Sequence, residues 1–185
     1  KTPDDYEITY QFTSDDNCPS NVASLTMTVY ALPSITITPS KTDVCKSGIN
    51  SSDITMSPSQ TVGNFVYSVD NGGTIASNGI FSPASNAAGD YIVTLTYTDA
   101  NSCTSKATAD VSIHALPTVV FDASNPDSAC YTKGAFDLLI NCTNEDGIVE
   151  TKTTSVNPST SSIGTRTITY SYTDVNGCGN YADYP

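Results

Sequence analysis

The chain has no tryptophan, one histidine, two methionines and only seven lysines and arginines in 185 residues. So few cations, with a net charge of −12, exclude the basic patches that hold nucleic acid or anionic membrane surfaces. No run approaches the ~18 apolar residues of a spanning helix, and no stretch has the order of a signal peptide. Catalytic signatures are missing too: there is no His-Glu-x-x-His, no Gly-x-Ser-x-Gly, and one imidazole leaves few general bases. A glycosidase-like carboxylate pair stays open, yet the chain reads as a non-enzyme. Zinc has no ligand pattern, because Cys-x-x-Cys is absent and the one histidine, His114, stands alone. Charged residues are only 14%, which is unlike an intracellular enzyme surface. The acidity suits solubility outside the cell.

What the chain does have is repetition. Three segments, Tyr6–Cys18, Tyr91–Cys103 and Arg166–Cys178, align from their cysteines backwards. Their large residues fall in register: Tyr6, Ile8, Tyr10 and Phe12; Tyr91, Val93, Leu95 and Tyr97; Arg166, Ile168, Tyr170 and Tyr172. Alternation of period two predicts a half-buried strand closed by a turn. The three cysteines lie 85 and 75 residues apart. A period beyond about 50 residues belongs to an array of domains, not to a solenoid with one shared core.

Residues 1–32 read as the last two strands of one unit, with Ala23, Leu25, Met27 and Val29 on one face of the return strand. Residues 33–116 read as a complete unit. Residues 117–185 read as a third unit that lacks its last strand. Ala31-Leu32-Pro33 and Ala115-Leu116-Pro117 are the joints, and proline makes them short and stiff. In the second unit, strands are expected at 35–38, 53–57, 64–70, 74–76, 79–81, 91–98 and 107–113, with Asp70-Asn71-Gly72-Gly73 as a turn. Short strands at regular spacing without helical periodicity predict a β-sandwich. The third unit runs 48 residues from Cys130 to Cys178, against 58 from Cys45 to Cys103, so its middle is expected to be shorter by a hairpin. Because the chain opens inside a repeat, it is expected to be a piece of a longer protein.

Three pieces recur between units: an early Val44-Cys45 or Ala129-Cys130, a middle Gly79-Ile-Phe-Ser-Pro83 or Ser155-Val-Asn-Pro158, and Gly-x-x-x-Ile/Val-Thr-x-x-Tyr-Thr-Asp-x-Asn-x-Cys at 89–103 and 164–178. Together they resemble the immunoglobulin-like repeats of very large Bacteroidota surface proteins, including flavobacterial adhesins of the gliding-motility type. The resemblance covers nearly the whole chain. It implies export across the outer membrane, anchoring at the bacterial cell surface, and tandem immunoglobulin-like β-sandwiches in an elongated stalk or filament. It brings no catalytic residues. The departures are the truncated ends, the short third unit and the additional Cys142.

Six cysteines in so short a chain point to an oxidising compartment. Cys45 and Cys103 occupy matched positions to Cys130 and Cys178, so disulfides are expected within units, Cys45–Cys103 and Cys130–Cys178. Closing such a loop stabilises by about 4 kcal/mol in a chain-entropy treatment. Cys18 is left for a partner upstream. Cys142 is either a buried free thiol or a bond to another chain or domain.

The acids cluster in turns, at Asp15-Asp16-Asn17, Asp99-Ala-Asn101 and Asp174-Val-Asn176. Asx side chains favour tight turns by bonding the local backbone. The alternative is calcium, which needs six to eight oxygens: Asp99, Asn101, Asp174 and Asn176 would be the ligands, completed by Asp43 or Asp122 across a joint. No other cofactor is implied. Asn50 and Asn141 fit Asn-x-Ser/Thr by chance in a bacterial protein. Asp127-Ser128-Ala129 resembles the Bacteroidota O-glycosylation pattern and makes Ser128 a glycan candidate.

The expected function is a structural segment of a secreted adhesin that positions a distal binding region. Its partners would be neighbouring repeats of the same chain, other copies in a filament, and surface glycans. The alternative is a spacer or carbohydrate-binding accessory module of a secreted hydrolase. A binding module should show exposed aromatics on one face, and most tyrosines here fall at core-facing positions.

Overall fold

A computed structural model describes residues 2–48, 51–130, 133–160 and 164–185. Within them the protein is all-β, with fourteen strands and a single 3-10 turn at Pro158–Thr160.

The first unit is a hairpin of β1 (Asp4–Tyr10) and β2 (Ala23–Val29). Tyr6 faces Met27, Ile8 faces Leu25 and Tyr10 faces Ala23. The expected apolar face therefore forms, but Ile8, Tyr10, Leu25 and Met27 are all exposed.

The second unit packs two sheets. One holds β3 (Ile37–Pro39), β5 (Ile54–Pro58) and β7 (Ile80–Phe81). The other has the order β4 (Asp43–Cys45), β9 (Thr104–His114), β8 (Gly89–Thr98) and β6 (Asn64–Val69). Neighbours are antiparallel except β4, which runs parallel to β9. The chain changes sheets between Pro39 and Asp43. The alternation read from sequence is the alternation of burial: Tyr91, Val93, Leu95 and Tyr97 are buried from β8. The first three meet Ile54, Met56 and Phe81 from the facing sheet in one core, and Tyr97 packs on Phe65. Phe81 and Tyr91 touch edge to face at 5.2 Å, a geometry that suits the ring quadrupoles.

Residues 74–76, expected as a strand, form no ladder. The buried Asn86 replaces one. Its Oδ1 accepts from Thr74 N at 2.6 Å, and its Nδ2 donates to Thr74 O and Ser82 O at 2.9 Å each. A side-chain amide thus satisfies backbone groups that would otherwise seek a partner strand.

The third unit has a sheet of β10 (Thr118–Phe121), β11 (Phe136–Thr143) and β12 (Val149–Val156), and a hairpin of β13 (Ile168–Thr173) and β14 (Gly179–Tyr184). The last strand, expected to be missing, is therefore present. It is six residues long where β9 has eleven. Among the described residues the middle is shorter by one strand, where a hairpin was expected. β12 pairs with β11 as β7 pairs with β5, and no described strand corresponds to β6. The core is correspondingly small: Val119, Ile140 and Cys142, flanked by Phe121, Tyr170, Tyr172 and Ala182.

Candidate functional site

The second and third units meet at a built junction. The chain leaves β9 at His114, passes Ala115-Leu116-Pro117, and enters β10 at Thr118. Pro117 is fully buried. Its carbonyl accepts from Asn180 Nδ2 at 2.9 Å, so the start of β14 is fixed against the joint. Parallel pairing sets Cys45 opposite His114, and Cys178 immediately precedes β14. The two sulfurs are bonded, with the Cα atoms 5.5 Å apart. Both residues are buried. A closed loop of this length contributes about 5 kcal/mol in the chain-entropy treatment.

This pairing corrects the expected Cys45–Cys103 and Cys130–Cys178 bonds. The reason is the length of β9. Cys103 precedes its first residue, while Cys45 lies beside its last. Ten strand rises separate those ends by about 34 Å, and a disulfide needs Cα atoms within about 7 Å. Matched sequence positions are opposite ends of one sandwich, so the bond forms between units. Cys103 and Cys130 are free thiols, as are Cys18, which is exposed, and Cys142, which is buried in the third core. Burial, the largest influence, pushes the Cys142 thiol above its ordinary pKa.

Around the disulfide lies an ionic cluster that the sequence did not disclose. His114 Nδ1 is 3.3 Å from Glu145 Oε1, and its Nε2 is 3.4 Å from Asp43 Oδ1. Glu145 belongs to the turn between β11 and β12, and its other oxygen accepts from Ala115 N at 3.0 Å. A third-unit carboxylate therefore holds both the imidazole and the linker backbone. Burial pushes the imidazole pKa down. The hydrogen bonds and charges of Glu145 and Asp43 together outweigh it and hold the pKa above 6.5. Asp43 is lowered, first by a hydrogen bond from Thr42 and then by His114, against the effect of burial. Lys46 anchors the segment after Cys45, donating to the carbonyls of Pro83, Ala84 and Asn86 at 2.8, 3.1 and 2.6 Å. The only sequence signal for this cluster was the isolated histidine beside a joint.

Of the calcium candidates, Asp99 and Asp174 cap their own turns. Asp99 Oδ1 accepts from Asn101 N and Cys103 N at 2.9 Å each. Asp174 Oδ1 does the same for Asn176 N at 3.0 Å and Cys178 N at 2.9 Å. Asp122 is taken up by Ser124 and Asn141. Among the described residues no three His, Cys, Asp or Glu side chains come close enough to hold a metal, while Asp174 Oδ2 is buried without a hydrogen-bond partner. Ser128 is exposed, on the rim of an open cleft of about 520 Å³ lined also by Phe136, Leu138, Arg166 and Ile168. Asn141 is engaged by Asp122, and Asn50 lies outside the described residues. No helix is long and apolar enough to cross a membrane among the described residues.

No family model matches the chain, and no curated protein matches it.

Proposed function

We propose that this chain is a segment of a stalk or filament built from immunoglobulin-like repeats, part of a secreted adhesin at a bacterial cell surface. The observation that carries the reading is the junction: a disulfide, a buried proline and a carboxylate clamp all join one unit to the next. A short joint with three independent ties suits a part that holds orientation over distance. The second unit's topology favours the immunoglobulin-like class, because a first strand that splits between sheets and runs parallel to the last is characteristic of such sandwiches. Phe65, Tyr67, Phe81, Tyr91 and Tyr97 serve the second core or its flank, which leaves little aromatic surface there for a carbohydrate-binding module. The first hairpin, with its apolar face open, repeats the pattern of the β8–β9 hairpin in shorter strands and fits the close of a preceding unit.

Small-angle scattering tests the reading. An elongated particle with little bending is expected, and reduction should increase the bending while both cores stay folded. A compact particle, with the first hairpin folded onto the third unit, would contradict it.

A further inference from the structure

We infer that Cys103 and Cys130 are the outward halves of two more staples of the Cys45–Cys178 kind, each completed by a neighbouring unit of the same repeat. The inference rests on the array reading above and deepens it. In the observed bond, the early cysteine of one unit meets the turn cysteine of the next. The early cysteine lies beside the strand end from which the chain leaves. The turn cysteine lies beside the strand by which the following unit receives it.

Cys103 repeats the turn half in detail. Asp99 N donates to Cys103 O at 3.0 Å, as Asp174 N donates to Cys178 O at 3.0 Å. In both turns one carboxylate oxygen accepts from the same two backbone amides. The residue before each cysteine has positive φ, 64° at Ser102 and 76° at Gly177. The scaffold that presents Cys178 to Cys45 is thus built again at Cys103, whose sulfur is free. The partner that would complete it is defined by register. Tyr30 stands before Ala31-Leu32-Pro33 as His114 stands before Ala115-Leu116-Pro117. The outer edge of β2 carries no described strand. A strand of the Asp43-Val44-Cys45 type, laid parallel along that edge and ending opposite Tyr30, would bring its cysteine to Cys103.

Cys130 matches the early half in sequence position, although it lies in no strand and no described strand of the third unit corresponds to β4. It follows Pro117 by 13 residues, as Cys45 follows Pro33 by 12, and it is exposed and free. Its partner is a turn cysteine of the Tyr-Thr-Asp-x-Asn-x-Cys type in a following unit. Each bond forms by exchange with a disulfide-carrying oxidant of the export compartment. One thiolate attacks the carrier disulfide and releases a carrier thiol. The second thiolate then attacks the mixed disulfide, so two protein thiols lose two protons and two electrons, and the carrier disulfide becomes two thiols.

The test uses the protein at its natural length, isolated with free thiols blocked, for two readings: the mass of the reduced, denatured polypeptide and the non-reducing peptide map. A long polypeptide whose map joins Cys130 to a Tyr-Thr-Asp-type turn peptide and Cys103 to an early-cysteine peptide, both crosslinks vanishing on reduction, is the expected result. A long polypeptide with Cys103 and Cys130 blocked as thiols, or joined to each other, overturns the staples and leaves the array standing. A reduced polypeptide of only about this length overturns the array itself and the staples with it.

Discussion

His114 is the one side chain in the molecule that changes charge near neutrality, and it sits where two units meet. Its raised pKa means that the folded junction binds the proton more tightly than the unfolded chain. That contribution is complete below pH 6.5 and is lost as pH rises through the folded value. Asp43, lowered from 3.8, contributes above that pH and loses its contribution as pH falls through the folded value. The ionic tie is therefore strongest in mildly acidic solution. Following the His114 ring protons by NMR should show a pKa above the ordinary one, and Glu145→Gln should bring it down. A ring that titrates identically in wild type and E145Q would show that Glu145 does not govern it. The cysteines divide just as clearly. In the folded 185-residue chain, without neighbouring units, Cys18 and Cys130 should react readily with a thiol reagent, whereas Cys142 should react only on unfolding, because it is buried and burial opposes its thiolate. Rapid labelling of all four free cysteines would contradict the packing of the third core.

At the scale of elements, one amide does the work of a strand. Asn86, in the loop between β7 and β8, satisfies three backbone groups, two at Thr74 ahead of β7 and one at Ser82 after it. Asn86→Ala should lower the second unit's stability by about 3 kcal/mol, since buried backbone groups lose their partners. Denaturant unfolding measures this, and a change below about 0.5 kcal/mol would mean that water replaces the amide without cost. This substitution of side chain for strand also shows why 74–76 misled a reading by propensity. Alternation made β8 legible in the residues Tyr91 to Tyr97, and the same pattern located β1 and β13, because a half-buried strand must alternate. The turns were legible for a related reason: Asp99 and Asp174 bond the backbone locally, within four residues. What a linear pattern does not carry is which end of a sandwich a residue occupies. Cys45 and Cys103 are matched in the repeat and separated by the full length of β9. His114, Asp43 and Glu145 come from three elements and share no spacing.

For the whole molecule, the consequence lies in how tension would travel. A pull applied at the two ends of the chain enters through the first hairpin and reaches Cys45, then crosses the disulfide to Cys178. The 133-residue separation is bypassed, so most of both sandwiches lies off the load path. Single-molecule stretching should then release about 45 nm less contour length in the oxidised protein than in the reduced one, at about 3.4 Å per residue. Equal extensions with and without reductant would show that the bond carries no load. If the staple recurs at every joint, a filament of this kind would behave as a covalent cable. Its folded units would be ornaments strung beside the line of force, able to lose and regain their shape without letting the cable lengthen.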